Sequence, residues 1–264
     1  METVKKILIT GATGNLGSNT INFLLEKGFA AQDIYALVRN EEKAAGIAAK
    51  GVNIIIGNYN DFDGLVKAFK GVEKLLFISS NDGEKRNQHH DNVVKAAKES
   101  AIKHIIYTSL IRKTEDGSSG ISMISLPTIE TEQKIKDAGL EYTILKNGLY
   151  AEVLPSFLGK DVMKNGIIFP AENGKANFTL VSDLAEALAI IICGEGHEKK
   201  EYVLTNEISY SFQDIANILS DFNNNEIKYF SPGTTEYVEI LEQSGLPSEY
   251  IGFFMAFAKA IGQG

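Results

Sequence analysis

Residues 11–17 read Gly-Ala-Thr-Gly-Asn-Leu-Gly. Their setting constrains the fold more than any other feature of the chain. An apolar run at residues 4–10 precedes them and reads as a buried strand. Residues 15–27 follow, with Leu16, Ile21, Leu24 and Leu25 apolar, and read as a helix stopped by Gly28. A glycine turn between strand and helix is the phosphate-binding turn of a doubly wound α/β sheet. Gly11 permits the tight turn, Gly14 lets backbone approach a pyrophosphate, and Gly17 lets the helix pack on the strand. Thr10, Thr13 and Asn15 can add hydrogen bonds. No acidic residue occurs from Asn15 to Leu25, so the positive end of the helix dipole is left for an anion.

The pattern then repeats. Short, almost wholly apolar runs at 34–38, 52–57, 74–79, 104–108 and 142–145 read as strands. Between them, 41–50, 61–70, 88–100 and 128–138 read as helices, the last closed by Gly139. Apolar strands alternating with amphipathic helices predict a Rossmann-type doubly wound parallel sheet covered on both faces. After Asn147 the rhythm changes. A helix is expected at 152–164, extended pieces at 167–169 and 177–181, and an apolar helix capped by Ser182 or Asp183 and running through Cys193. A strand at 202–205 follows, then a capping-box spacing from Ser211 to Asp214 before a helix to Phe222. The remaining elements are an extended piece at 227–230 and helices at 235–243 and 248–261. The expected division is a dinucleotide-binding domain at 1–150 and a smaller C-terminal α/β lobe at 151–264, with residues of about 177–205 packing back on the sheet. Phe253, Phe254, Met255 and Phe257 read as helix-packing core, with a pocket wall or a subunit interface as the alternative.

Composition narrows the function classes. Lys and Arg total 26 against 34 Asp and Glu, a formal net charge of −8. Such a surface repels phosphate backbones and argues against nucleic-acid binding. The single cysteine, Cys193, excludes an intramolecular disulfide and, lying in an apolar run, reads as a buried inert thiol. No apolar stretch approaches the roughly 20 residues that span a bilayer. The N-terminal stretch is too short for a signal sequence, so no membrane span and a cytoplasmic location are expected. His89 and His90 begin a helix with no cysteine or third histidine at ligand spacing; they read as a solvated helix face, and no metal site is expected.

The nucleotide can be narrowed. A site for NAD usually carries an acidic residue about 20 residues past the glycine turn. Residues 34–40, Ile-Tyr-Ala-Leu-Val-Arg-Asn, contain none. Arg39 stands there instead, with Lys43 one turn on, and a guanidinium suits a 2′-phosphate. This favours NADP(H) over NAD(H), the alternative being a solvated arginine beside Glu41 and Glu42. Asn58 and Asp61 are placed to meet the adenine edge, though Asp61 equally suits a helix cap.

The glycine turn, Ala-Leu-Val-Arg-Asn at 36–40, Leu-Leu-Phe-Ile-Ser-Ser at 75–80, His-Ile-Ile-Tyr-Thr-Ser-Leu at 104–110, Ile-Glu-Thr-Glu at 129–132 and Leu-Lys-Asn-Gly-Leu-Tyr at 145–150 together resemble the atypical short-chain dehydrogenase/reductases of the NmrA-like group. Within it the chain is similar to the type 2 quinone reductases and, nearly as much, to the triphenylmethane dye reductases. The resemblance spans essentially the whole chain. It implies NADP(H) bound by Gly11, Thr13, Gly14, Asn15, Leu16, Gly17, Arg39 and Lys43, and a small lobe closing a pocket for a small aromatic acceptor, quinone or dye. It puts Ser79 and Ser80 near the nicotinamide ribose, and Lys146, Asn147, Gly148 and Tyr150 beside the nicotinamide and acceptor. A homodimer is one arrangement compatible with it.

Two departures matter. Most members of the superfamily use a Tyr-x-x-x-Lys pair, and the corresponding places hold Ile124 and Thr128. The quinone reductases of this group also lack the pair. Relatives also run about twenty residues beyond Gly264, so a final segment is expected to be missing here. Quinone reduction tolerates the loss of the pair. Hydride addition gives a hydroquinone monoanion whose charge spreads over the ring, so no strong general acid is required. The catalytic demand is then positioning, with Asn147 or Tyr150 as hydrogen-bond donors to the acceptor oxygen. The second function class is a non-catalytic NADP(H) sensor.

Overall fold

A computed structural model describes residues 6–263 of the chain. Val4 and Lys5, expected to begin the first strand, lie outside them. The first strand is β1 (Ile7–Ile9), and α1 (Asn15–Glu26) follows the glycine turn. Next come β2 (Ile34–Val38), α2 (Ala45–Ala48), β3 (Asn53–Ile56), α3 (Phe62–Phe69), β4 (Lys74–Phe77) and α4 (Arg86–Glu99). Then follow β5 (His104–Leu110), α5 (Ser122–Asp137) and β6 (Glu141–Asn147). Beyond them lie β7 (Leu149–Tyr150), α6 (Leu154–Leu158), α7 (Val162–Asn165), β8 (Ile167–Ile168), β9 (Lys175–Ala176), β10 (Phe178–Thr179), α8 (Val181–Cys193) and β11 (Lys200–Leu204). The chain ends through β12 (Tyr210–Ser211), α9 (Phe212–Asn223), β13 (Tyr229–Phe230), α10 (Thr234–Gln243) and α11 (Ser248–Gly262).

Seven strands form one sheet in the order β11-β6-β5-β4-β1-β2-β3, and every pairing in it is parallel. The sheet is the doubly wound α/β arrangement expected from the alternating pattern. Alternation along each strand sorts the core. On one face Leu8, Leu37, Leu75, Phe77, Ile105 and Tyr107 pack with Leu65, Phe69, Val93 and Ile135 from α3, α4 and α5. α1 and α8 pack together, burying Leu16, Ile21 and Leu24 of α1 and Leu184, Leu188 and Ile192 of α8.

The chain divides into two compact units. The first comprises residues up to Ile111, Leu126–Asn147 and Leu180–Leu204; the second comprises Arg112–Ser125, Gly148–Thr179 and everything from Thr205. The second unit has its own aromatic core. Phe169 and Phe212 pack at a tilt with ring centroids 4.4 Å apart, and Phe157 meets Phe254 at 5.6 Å. Phe253, Met255 and Phe257 pack against this cluster, which is the core reading of that aromatic run.

Several sequence expectations need correction. The helix expected from residue 128 begins at Ser122 and runs through Pro127. Proline removes one helical hydrogen bond; the carbonyl concerned is that of Met123, an exposed residue that water can serve. The helix expected at 152–164 is broken in two, because Gly159 takes φ +78° and ends α6. Neither Ser182 nor Asp183 caps α8, whose N-cap is Leu180; Ser182 donates to the Asp183 carboxylate instead. Cys193 is exposed, not buried. It shares the outer stripe of α8 with Asp183, Glu186 and Ile190, at helical spacing, although partial burial still raises its thiol pKa.

One cap was not foreseen. α8 has no basic residue in its last turn. The buried Lys74, at the start of β4, donates from its Nζ to the carbonyls of Ile192 at 2.6 Å and Gly194 at 3.4 Å. The ammonium therefore serves the negative end of the α8 dipole. Lys74→Met keeps the stem and removes this charge. It is expected to lower stability by about 2 kcal/mol, a fall in Tm of about 4–8 °C for a chain of this size. A thermal melt unchanged by the substitution would contradict this role.

Candidate functional site

The strand order reverses between β1 and β4. In doubly wound sheets the crevice at the carboxyl ends of such strands is the ligand site. Here the glycine turn leaves β1 and the Ile78–Ser80 turn leaves β4. Thr10 ties them together. Its hydroxyl donates to Leu76 O at 3.2 Å and accepts from Ile78 N at 2.9 Å. Thr10 is thus fully buried structural glue and not a free donor, which corrects the sequence reading.

Gly11 takes φ +60°, and a side chain there would meet Ile78 at 3.3 Å. Gly11 O accepts from Gly14 N at 3.0 Å, closing the turn. At Gly17 a Cβ would lie 2.5 Å from Gly11 O and 2.8 Å from Ala12 Cα, so helix and loop touch backbone to backbone. The α1 N-terminus has no acidic residue in its first turn and no side-chain cap from Gly14. Its first N–H groups are left open to a ligand. Thr13 and Asn15 are exposed on this turn, whereas the Leu16 side chain is buried, so only its backbone can face a ligand. These features fit a bound pyrophosphate.

Arg39 and Lys43 are both exposed beyond β2. Asn40 Oδ1 accepts from Lys43 N at 3.1 Å, fixing the turn that carries them. Asn58 is exposed, and its Oδ1 accepts from Asn60 N at 2.9 Å. Of the two roles open to Asp61, the structure has the cap: its carboxylate accepts from Gly64 N at 2.9 Å, at the start of α3. Tyr59 donates to Ile78 O at 2.8 Å, and burial raises its phenol pKa.

The largest departure is at His89 and His90. They were expected to face solvent, but both are buried. They point from α4 into the turn that follows β4. His90 Nε2 lies 3.0 Å from Ser80 N and 3.2 Å from Ser79 Oγ, and its Nδ1 lies 2.7 Å from Thr131 Oγ1. His89 Nδ1 lies 2.9 Å from Ser80 Oγ, and its Nε2 lies 3.0 Å from Asn60 Oδ1. Burial, with Arg86 next, lowers the His90 pKa to about 3, and burial also lowers that of His89. The signal in the sequence was positional: a polar pair at 89–90 stands one helical approach away from the serine pair at 79–80. Among the described residues no group of histidine, cysteine and carboxylate side chains could hold a metal ion.

Further along the sheet, Ser109 on β5 donates to the buried Glu132 carboxylate of α5. Asn147, the last residue of β6, is buried, and its carbonyl accepts from Ile111 N at 2.9 Å. Lys146 points to the other face of β6 and pairs with Glu201 at 3.1 Å, a carboxylate also held by Lys136 at 2.6 Å. Lys136, then Lys146, keep the Glu201 carboxyl pKa below its usual range. In the second unit, a Cβ on Gly148 would lie 2.7 Å from Thr179 Oγ1 and 2.8 Å from Thr205 Oγ1. Tyr150 is half-buried on β7, opposite Thr179 of β10.

A family model described as the NmrA-like family matches residues 3–262. Quinone oxidoreductase 2 of Escherichia coli (strain K12) is 35% identical over 243 residues, covering 91% of this chain and 82% of that protein. Among solved structures, a triphenylmethane reductase of Citrobacter sp. superposes with a TM-score of 0.91 at 35% identity, covering 98% of this chain and 90% of the other. An NADPH-dependent quinone oxidoreductase of Escherichia coli, solved in complex with NADPH, gives a TM-score of 0.91 at 34% identity, covering 98% and 89%.

Proposed function

Because the chain belongs to the NmrA-like family, we propose that it is an NADPH-dependent oxidoreductase that reduces a small aromatic acceptor, a quinone or a cationic or azo dye. The observation that carries this reading is the glycine turn at the strand-order reversal, with an acid-free, uncapped helix start behind it. In this proposal the backbone of Gly11, Thr13, Gly14, Asn15, Leu16 and Gly17 holds the pyrophosphate. Arg39 and Lys43 take the 2′-phosphate, Asn58 the adenine edge, and Ser79 and Ser80 the nicotinamide ribose. When bound, the nicotinamide supplies the hydride. The chain's own work is to hold the acceptor flat and to exclude water. Lys146 is assigned to the nicotinamide side with its charge shared by Glu201. Asn147 and Tyr150 are each assigned a hydrogen bond to an acceptor oxygen, where negative charge develops. With Ile124 and Thr128 in place of a Tyr–Lys pair, protonation is left to solvent, which suits a delocalised hydroquinone anion better than an alkoxide.

The test is oxidation of NADPH, followed by its nicotinamide absorbance, with and without a small benzoquinone and with NADH in parallel. Turnover that depends on quinone and prefers NADPH is the expected result. Asn147→Ala and Tyr150→Phe should each lower it about tenfold, the loss of one hydrogen bond of about 1.4 kcal/mol. Unchanged turnover in both would remove them from the mechanism. The absent Tyr–Lys pair is equally compatible with a second reading, a non-catalytic NADP(H) sensor; NADPH binding without turnover on quinones and dyes would select it. Among the described residues no helix is long and apolar enough to cross a membrane. A homodimer and a cytoplasmic location complete the proposal, to be tested by light scattering and cell fractionation.

A further inference from the structure

We propose that His89 and His90 are a positioning pair that fixes the Ser79–Ser80 turn for the nicotinamide half of the cofactor. This rests on the NADP(H) reading above.

The hydrogen atoms can be placed by elimination. A backbone N–H only donates, so the Ser80 N–H at 3.0 Å requires a bare Nε2 on His90. The neutral ring then carries its proton on Nδ1 and donates to Thr131 Oγ1 at 2.7 Å. Thr131 donates in turn to Pro127 O at 2.7 Å. On His89 the order is reversed. Asn60 Oδ1 accepts, so Nε2 carries the proton, and the bare Nδ1 receives the Ser80 hydroxyl. Ser80 Oγ remains an acceptor for Asp82 N–H at 3.2 Å. Each donor in this network has one acceptor, and the two rings hold opposite tautomers.

Both chains end on carbonyl oxygens, Pro127 O and Asn60 Oδ1, which pass no proton onward. The pair is therefore not a relay; it sets geometry. The rings are also held by packing. His90 stands edge-on to Phe77 at 5.0 Å and to Tyr107 at 5.8 Å, and His89 edge-on to Tyr59 at 5.8 Å. Protonating His90 would turn its Nε2 from acceptor to donor against the Ser80 N–H. The charges of Arg86 and Lys134 oppose that step, as would a protonated His89. At His89 the charges of Lys85 and Arg39 oppose a cation and that of Asp82 favours it. The ligand-facing consequence is specific. The Ser79 and Ser80 hydroxyls and N–H groups leave β4 in one arrangement, anchored also by Ser79 N to Thr108 Oγ1 at 3.0 Å.

Two variants separate positioning from mere stability. His90→Phe keeps an aromatic ring against Phe77 and Tyr107 but offers no acceptor. His90→Gln restores an oxygen near the position of Nε2. The readouts are the Kd for adenosine 2′,5′-bisphosphate, which probes only the adenine half, kcat with NADPH and quinone, and the thermal midpoint. The expected result for His90→Phe is an unchanged bisphosphate Kd with kcat at least about tenfold lower, recovered to within about threefold by His90→Gln. A purely structural role would lower the thermal midpoint and leave kcat per folded molecule unchanged in both variants, and that outcome overturns the proposal. An equal kcat loss in both overturns it too. If His90→Phe fails to fold, imidazole 15N shifts of the wild-type protein decide. His90 protonated on Nδ1 and His89 on Nε2, with shifts that respond to NADPH but not to the bisphosphate, support the pair; other tautomers, or no response to NADPH, refute it. A wild-type protein that fails to bind the bisphosphate would instead sink the NADP(H) reading.

Discussion

Gly17→Ala is expected to weaken NADPH binding by about a hundredfold or more. The added Cβ would lie 2.5 Å from Gly11 O, 2.8 Å from Ala12 Cα and 3.0 Å from Gly11 C. All three are backbone atoms, so no side chain can rotate away. Either α1 lifts from the turn or the turn deforms, and Gly11 O loses its bond from Gly14 N. Overpacking of this kind costs about 1–3 kcal/mol in a core. Here the strain falls on the loop that must present its N–H groups to the phosphates, so the binding loss is expected near 2.7 kcal/mol, about a hundredfold. Gly46→Ala is the control. It lies in α2, its Cβ would meet nothing within 4 Å, and helix propensity favours alanine. Nicotinamide fluorescence titration of both variants, with a thermal melt to count folded protein, checks the claim. Binding by the Gly17 variant within threefold of wild type would contradict it.

Arg39→Ala is expected to weaken NADPH about 30- to 100-fold and to leave NADH within about twofold. A charge-assisted hydrogen bond to a phosphate is worth about 1.5–3 kcal/mol, and the 2′-phosphate is the only group that distinguishes the two nucleotides. The chain carries a net charge of −8, and Glu41 and Glu42 stand beside the site. The exposed cations Arg39 and Lys43 therefore offset a field that otherwise repels the phosphate. Lys43 remains in the variant and keeps the loss finite. The measurement is the ratio of the two Kd values. Equal weakening of NADPH and NADH would mean that Arg39 holds the turn and does not read the phosphate.

The first half of the fold was legible because its signals are local and agree with one another. β2 runs from Ile34 to Val38 as the apolar run indicates, and α1 starts at Asn15, directly after the glycines. Gly139 follows α5 with φ +75°, the left-handed stop that its position suggests. The capping box from Ser211 to Asp214 also forms as spaced. What the sequence hid depends on contacts far apart in the chain. Lys74 serves a helix 118 residues away, and nothing in the residues around it announces this. His89 and His90 look solvated because polar residues surround them in sequence, yet α4 turns both rings toward partners on the turn after β4, on α5 and on the loop after β3. Cys193 misled in the opposite sense. An apolar run hides which residue falls on the outer stripe until the helix phase is known. At Ser109, too, the partner is remote in sequence: its hydroxyl meets a buried carboxylate from the next helix.

The central sheet is assembled from three separate stretches of chain, the last ending at Leu204. β11 is the seventh strand and closes the edge beside β6, and α8 covers α1. During synthesis the glycine turn and its helix leave the ribosome early, but their apolar cover arrives some 170 residues later. Until then Ile21 and Leu24 have no partner from α8. Before α8 emerges, this half lacks the cover for that apolar surface, a circumstance that favours aggregation of nascent chains. Cutting the chain after β6 would freeze it in that state, with an unprotected strand edge open to pairing with another chain. The same interleaving ties assembly of this half to translation through Leu204.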